Sequence, residues 1–293
     1  MSAPTIPGPH PDPHPPRRFR PPPDACDAHC HVFGPAARFP FAADRAYTPP
    51  DSGIDAFEAL QDRLGLTRAV FVQASCHGTD NSAMVDAIGR GRGRYAGVAM
   101  IDESFTVGDI GRLHDAGVRG TRFNFVRHLG GAPAPDVFWR LVERVQPFGW
   151  HIVLHFDARD LPEHAPLLAR MPCPFVIDHM ARVPTADGID QEPFRALLGL
   201  LADERCWVKI SGAERLTTGG GPPYDDVVPF ARAIVAAAPD RVLWGTDWPH
   251  PNVRVMPDDG DLVDLLGDLV PDDAARHRVL VANPETLYDF SGP

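Results

Sequence analysis

No stretch of this 293-residue chain approaches the roughly 20 uninterrupted apolar residues that a bilayer-spanning helix requires. Arg17 and Arg18 are adjacent, but no apolar segment follows them, so neither a secretory leader nor twin-arginine export is expected. The default location is the cytoplasm. Cysteine is sparse. Cys26, Cys30, Cys76, Cys173 and Cys206 form no close CxxC pair, which argues against a disulfide framework and a cysteine-built structural zinc site. No GxGxxG follows the first strand-like run, so a dinucleotide-binding sheet lacks its phosphate cradle. No serine sits in a GxSxG elbow, so a serine nucleophile has no support. Basic charge is short as well: 28 Lys and Arg face 39 Asp and Glu, for a net charge of −11. Nucleic acid is therefore not an expected partner, and an anionic small molecule would need a local arginine cluster.

Proline, by contrast, is plentiful at one end. Residues 1–23 hold ten prolines, which rules out a helix or a central strand there. This segment reads as an extended arm that either wraps the body or is disordered. Residues 24–293 read as one domain. Eight short apolar runs, from Ala25–Val32 through Val242–Thr246, alternate with segments whose apolar residues recur every three or four positions. Strict alternation implies a parallel sheet with helices outside, and eight repeats favour closure. The expected fold is α/β: a distorted (β/α)8, or TIM, barrel.

In such barrels chemistry gathers where strands end at the C-terminal face. The first strand ends in Asp27-Ala28-His29-Cys30-His31. Alternation places His29 and His31 on one face and turns Ala28 and Cys30 toward the helices. The fifth run ends at His155, the sixth at Asp178-His179, and the eighth at Asp247. A buried carboxylate or imidazole without a partner is expensive, so their convergence points to a site. Such a set could hold a divalent metal. It could equally hydrolyse without one, with Asp247 as general base and the histidines polarising a carbonyl. Arg122 lies inside an apolar strand, Arg127 and His128 follow it, and Arg182 and Arg215 follow the sixth and seventh strands. Arginine forks match carboxylates, so an acidic small molecule is expected at this mouth. Lys209 is expected to point away from the mouth, His250 to stand behind Asp247, Ser75 to contact a ligand, and Tyr47 either to cover a ligand or to pack on the arm.

The stretches DAHCHVFG (Asp27–Gly34), VQASCHGTDN (Val72–Asn81), GTRFNF (Gly120–Phe125), IDHMAR (Ile177–Arg182) and WGTDWPHPN (Trp244–Asn252) resemble the amidohydrolase superfamily. Within it they are most similar to the 2-pyrone-4,6-dicarboxylate lactonases, from about Pro21 to Asn283-Pro284. The resemblance implies a barrel that opens a carboxylated lactone, with no divalent metal required. It further implies that Asp247 activates water and that His29, His31 and His179 surround the carbonyl. Arg122, Arg182 and Arg215 would engage substrate carboxylates, with Ser75 and Tyr47 beside the ligand. Two positions depart from the family pattern. His128 replaces an arginine, which bears on the choice of acidic lactone. His155 replaces a tyrosine and restores a fifth-strand histidine typical of metal-binding members. One zinc held by His29, His31, His155, His179 and Asp247 is the alternative. Two other readings are a zinc-dependent decarboxylase of an aromatic or unsaturated acid and a non-catalytic binder of anionic metabolites.

Overall fold

A computed structural model describes residues 3–126 and 131–290. Eight parallel strands form one sheet in sequence order: β1 (Cys26–Cys30), β2 (Arg68–Val72), β3 (Tyr95–Ala99), β4 (Val118–Asn124), β5 (His151–His155), β6 (Phe175–Ile177), β7 (Cys206–Lys209) and β8 (Val242–Leu243). Around it run α1 (Ile54–Leu64), α2 (Ser82–Arg90), α3 (Val107–Asp115), α4 (Pro135–Val145), α5 (Leu161–Leu168) and α6 (Glu192–Leu200). They are followed by α7 (Ala213–Leu216), α8 (Val228–Ala237), α9 (Asp259–Leu269), α10 (Asp273–His277) and α11 (Asn283–Tyr288). All eight expected strands are present, and the fold is a (β/α)8 barrel. The four-residue α7 and the terminal α11 are additions, too short to leave a periodic signature. No helix among the described residues is long and apolar enough to cross a membrane.

Two apolar layers hold the sheet. Helices bury one stripe against its outside; α4, for example, buries Phe138, Leu141, Val142 and Val145 at helical spacing. Inside, Cys26, Ala28, Val70, Val98, Val153, Val176 and Leu243 form a second cluster, closed off by Tyr288 and Phe290. Ala28 therefore faces the interior, not the helices. The reason is an irregularity in β1: Asp27 pairs with Ala69 but Cys30 with Phe71, so the chain gains a residue against its neighbour. The pleat changes phase there, which lets Ala28 and then His29 both reach the interior.

The ring closes beyond the short β8. The Ala28 N–H donates to the Trp244 carbonyl (2.8 Å), Asp247 N–H to His29 (2.7 Å) and His31 N–H to Trp248 (2.7 Å). Asp27, sealed inside this seam, accepts hydrogen bonds from Thr246 N (3.0 Å), Thr246 Oγ1 (2.6 Å) and His29 N (3.1 Å). Gly245 is required here: a Cβ would stand 2.4 Å from the His29 nitrogen.

The proline-rich arm lies along the body. One carboxylate, that of the buried Asp264 on α9, accepts the backbone N–H groups of Arg17 (2.9 Å), Arg18 (2.7 Å) and Phe19 (3.1 Å). Hydrogen bonds to a charged group contribute about 1.5–3 kcal/mol net. Asp264→Ala should therefore cost about that much stability and speed tryptic cleavage at Arg17 and Arg18. Unchanged cleavage and an unchanged urea midpoint would show that this carboxylate does not hold the arm.

Candidate active site

Asp247 follows β8 in a left-handed backbone conformation (φ 67°), a strained geometry for a residue with a side chain. The seam to β1 holds it there, with its carboxylate between two sets of partners. Oδ1 faces three imidazoles: His31 Nε2 at 3.2 Å, His29 Nε2 at 3.5 Å and His179 Nε2 at 3.9 Å. Oδ2 accepts from Arg215 Nε at 2.6 Å. The structure brings Asp247 and the three imidazoles together, all within 3.9 Å of Oδ1.

Each imidazole is held from behind. His31 Nδ1 donates to the Val72 carbonyl at 2.7 Å. His179 Nδ1 meets Ser211 Oγ at 2.9 Å. His29 Nδ1 stands 3.0 Å from Lys209 Nζ and 3.2 Å from Asp178 Oδ1. Lys209 is thus buried inside the barrel instead of pointing away, because residues 209 and 211 have the same parity on the strand. Asp178 also accepts from Arg122 Nε at 2.9 Å, which ties the fourth strand to the first and seventh. After β6 the chain makes a left-handed turn: His179, Met180, Ala181 and Arg182 all have φ of 50–53°. Side-chain-bearing residues rarely do this in succession, at about 1–2 kcal/mol each. The turn points His179 inward and lifts Arg182 to the rim, where its Nε donates to Asp157 at 2.6 Å.

His31, His179 and Asp247 line a cavity of about 130 Å³ together with Tyr47, Ser75, His155, Pro251 and Asn252, while His29 lies fully buried behind it. Arg122, Arg182 and Arg215 all reach it. Ser75 Oγ lies 3.4 Å from the Tyr47 hydroxyl. His155 Nδ1 donates to Asn124 Oδ1 at 3.1 Å, leaving Nε2 buried without a partner. A larger cavity of about 560 Å³ adjoins across Arg122 and Asn124, but it is lined by Ile101, Phe123 and Leu141 and contains none of the imidazoles. Arg127 and His128, two further expected contacts, lie outside the described residues.

Burial and charge set the protonation states. Burial raises the Asp247 carboxyl, but Arg215 and the imidazoles outweigh it and hold it well below the usual range. Burial lowers His179 to about 4, against the pull of Asp247. Burial and the Lys209 charge keep His29 well below its ordinary value, and burial and Arg122 do the same for His155. His250, behind Asp247 as expected, is the exception: burial lowers it, but Asp259 at 3.0 Å and then Glu214 raise it to about 10.

Sequence reasoning missed Asp178 and Lys209 as supports and Glu214 beside Arg215. Asp178 precedes His179 and was legible as a strand-end carboxylate; Glu214 gave no signal beyond its charge.

The family model for amidohydrolases matches residues 26–290. The chain belongs to the amidohydrolase family. This amidohydrolase is 46% identical over 280 residues to a 2-pyrone-4,6-dicarboxylate hydrolase of Comamonas testosteroni, covering 92% of each chain. It is 43% identical over 277 residues to a 4-sulfomuconolactone hydrolase of Rhizobium radiobacter, covering 93% of this chain and 92% of the relative. Among solved structures, it resembles the "probable 2-pyrone-4,6-dicarboxylic acid hydrolase" of Acinetobacter baumannii with citric acid bound. The TM-score is 0.79 at 28% identity, covering 91% and 99% of the two chains.

The buried histidines predict acid sensitivity of the fold. Burial also lowers His151, to about 3. For such groups the unfolded chain binds protons that the folded chain refuses. Their contribution is complete above about 6.5, the unfolded value, and is lost as pH falls toward the folded values. Asp27, which burial raises to about 7, works the other way, losing stability as pH climbs through that value. His151→Asn should remove one proton's worth of slope, about 1.4 kcal/mol per pH unit, from the urea-derived stability between pH 6.5 and 4. Parallel stability curves for the variant and the parent would refute the assignment.

Proposed function

We propose that this amidohydrolase opens a carboxylated lactone, 2-pyrone-4,6-dicarboxylate or a related acidic lactone, by water attack on the ring carbonyl. The observation that carries the reading is one buried carboxylate with three imidazoles on one oxygen, at the edge of a small cavity reached by three arginines. Both relatives described above act on lactones bearing acid groups, by their names. Five free, buried cysteines suit the reducing cytoplasm, where we place the enzyme.

In this scheme Asp247, ionised at neutral pH, accepts a proton from water as its oxygen bonds to the ring carbonyl carbon. His29, His31 and His179 surround the carbonyl oxygen and stabilise its developing charge. The ring C–O bond then breaks, and the departing ring oxygen takes the proton back from Asp247. The new carboxyl group keeps the second proton of water and releases it to solvent, so the product carries one more carboxylate than the lactone. Arg122, Arg182 and the outer face of Arg215 orient the acid groups. Arg215 has a second role, since in the free enzyme it pairs with Asp247.

The donor set can also accept a single divalent ion. Ligand atoms of His29, His179 and Asp247 lie within 4.8 Å of one another, and His29 Nε2 and His155 Nε2 are buried and make no hydrogen bond. A zinc held there would supply Lewis-acid polarisation of the carbonyl. We nonetheless assign a reaction that needs none, because protein cations already balance the two carboxylates that face the imidazoles: Arg215 for Asp247, and Arg122 with Lys209 for Asp178.

Asp247→Asn should lower kcat on 2-pyrone-4,6-dicarboxylate by about a thousandfold or more with KM little changed. Near-normal turnover would remove Asp247 as the base. Purified enzyme should keep its activity in chelator and contain well under one equivalent of metal. Stoichiometric zinc with chelator-sensitive turnover would transfer the polarising role to the metal. A panel that includes 4-sulfomuconolactone decides which acid group the arginines select.

A further inference from the structure

Tyr47 forms part of the cavity wall, yet it sits in a segment, 36–50, that has no helix or strand beyond isolated bridges. Something else must fix its hydroxyl beside Ser75. Phe33 packs against its ring, and a further support is the beginning of the chain. Ile6 N–H donates to the Thr48 carbonyl at 3.0 Å, and Thr48 N–H donates to the Pro4 carbonyl at 2.8 Å, giving a parallel bridge between Thr5 and Thr48. The Ile6 side chain packs on the cluster of Phe33, Tyr47, Ala74 and Cys76.

Farther along, the same arm is fixed to the start of α9. His14 N–H meets both oxygens of Asp258 at 3.1 Å, and its Nε2 meets Asp261 Oδ1 at 2.9 Å. Those acids begin α9, the helix entered from the Asp247 loop. Gly260 gives His14 room: a Cβ there would stand 2.1 Å from the His14 carbonyl oxygen. Between the two anchors, every second residue from Pro7 to Pro13 is proline. Such a segment is a stiff, extended spacer rising about 3.1 Å per residue, so it transmits position where a glycine-rich linker would not.

We propose that the arm is a positioning strap. It links the α9 wall to the Tyr47 segment and, through Pro4, Ile6 and Thr48, holds the Tyr47 hydroxyl against the bound acid. Ile6 and Thr48 are positioning residues and touch no substrate; the nature of the bound acid rests on the lactone reading above. Two variants test the strap: deletion of residues 2–9, which leaves the His14 and Asp264 anchors in place, and Ile6→Asn in the full chain. Each should raise KM for 2-pyrone-4,6-dicarboxylate and Kd for citrate by about tenfold, with kcat within about twofold. Melting should move by no more than about 2 °C. In a Tyr47→Phe background the deletion should add less than about twofold, since both changes remove one interaction. Amide hydrogen exchange at residues 45–48 should accelerate in the deletion, whatever the substrate proves to be. Unchanged exchange at 45–48, or a KM effect that multiplies with that of Tyr47→Phe, would overturn the strap. If the intact enzyme neither turns over the lactone nor binds citrate, the lactone reading fails, and the exchange result alone decides the strap.

Discussion

The joint between the first and last strands governs the geometry of this molecule. Asp27 contributes a carboxylate with 1% exposure that accepts from the backbone of both sides and from the Thr246 hydroxyl. β8 is only two residues long, so no ladder could otherwise hold residues 244–248 against β1. The joint does more than close the ring. Because Asp247 N–H donates to the His29 carbonyl, the strained backbone of one is fixed to the backbone of the other. The distance between carboxylate and imidazole is therefore set by backbone hydrogen bonds, not by flexible side chains. A site that must hold two reacting groups at near-contact distance gains from this rigidity.

Below that joint, charge balance decides which groups can be buried. The chain has a single lysine, Lys209, and it is sealed in the barrel. With Arg122 it compensates Asp178, and the three groups reach three strands. Removing Asp178 would leave two buried cations uncompensated, the costly outcome for such groups, whereas removing either cation leaves a one-to-one pair. The same positive charge disfavours protonation of His29, as Arg122 does for His155, so these imidazoles stay neutral. A neutral ring polarises a carbonyl only where its proton sits on Nε2; His155, whose Nδ1 donates to Asn124, presents a lone pair there.

Much of this was legible in the sequence because it is periodic or repeated. Eight apolar runs alternating with helical stretches specify a parallel barrel, and chemistry at the strand ends follows from that architecture. His29, His31, His179 and Asp247 could be named because strand ends are countable. What escaped depends on departures from regularity. The extra residue in β1 changed the phase at Ala28, and nothing in the composition of DAHCH announces it. Lys209 was open to correct assignment, since residues two apart on a strand share a face. Arg215 was expected to face substrate, but its pairing with Asp247 depends on α7, four residues with no periodic signature.

The contrast between Arg215 and the imidazoles bears on how one scaffold can support hydrolysis with or without a metal. An isolated carboxylate facing three ring nitrogens in a dry pocket needs a positive charge nearby. A divalent ion on Oδ1 could supply it, drawing on His29 and His179. A guanidinium on Oδ2 supplies it as well and leaves the imidazole side open for a substrate carbonyl. The two solutions compete electrostatically, because a guanidinium already bonded to the carboxylate weakens the field available to attract a second cation. His155, buried with one unpartnered nitrogen, adds a donor to the metal side of that balance. Arg215 and Lys209 weigh on the other side. Metal preference in this barrel is then a property of the surrounding cations as much as of the ligand set, and it could shift without any change in His29, His31 or Asp247.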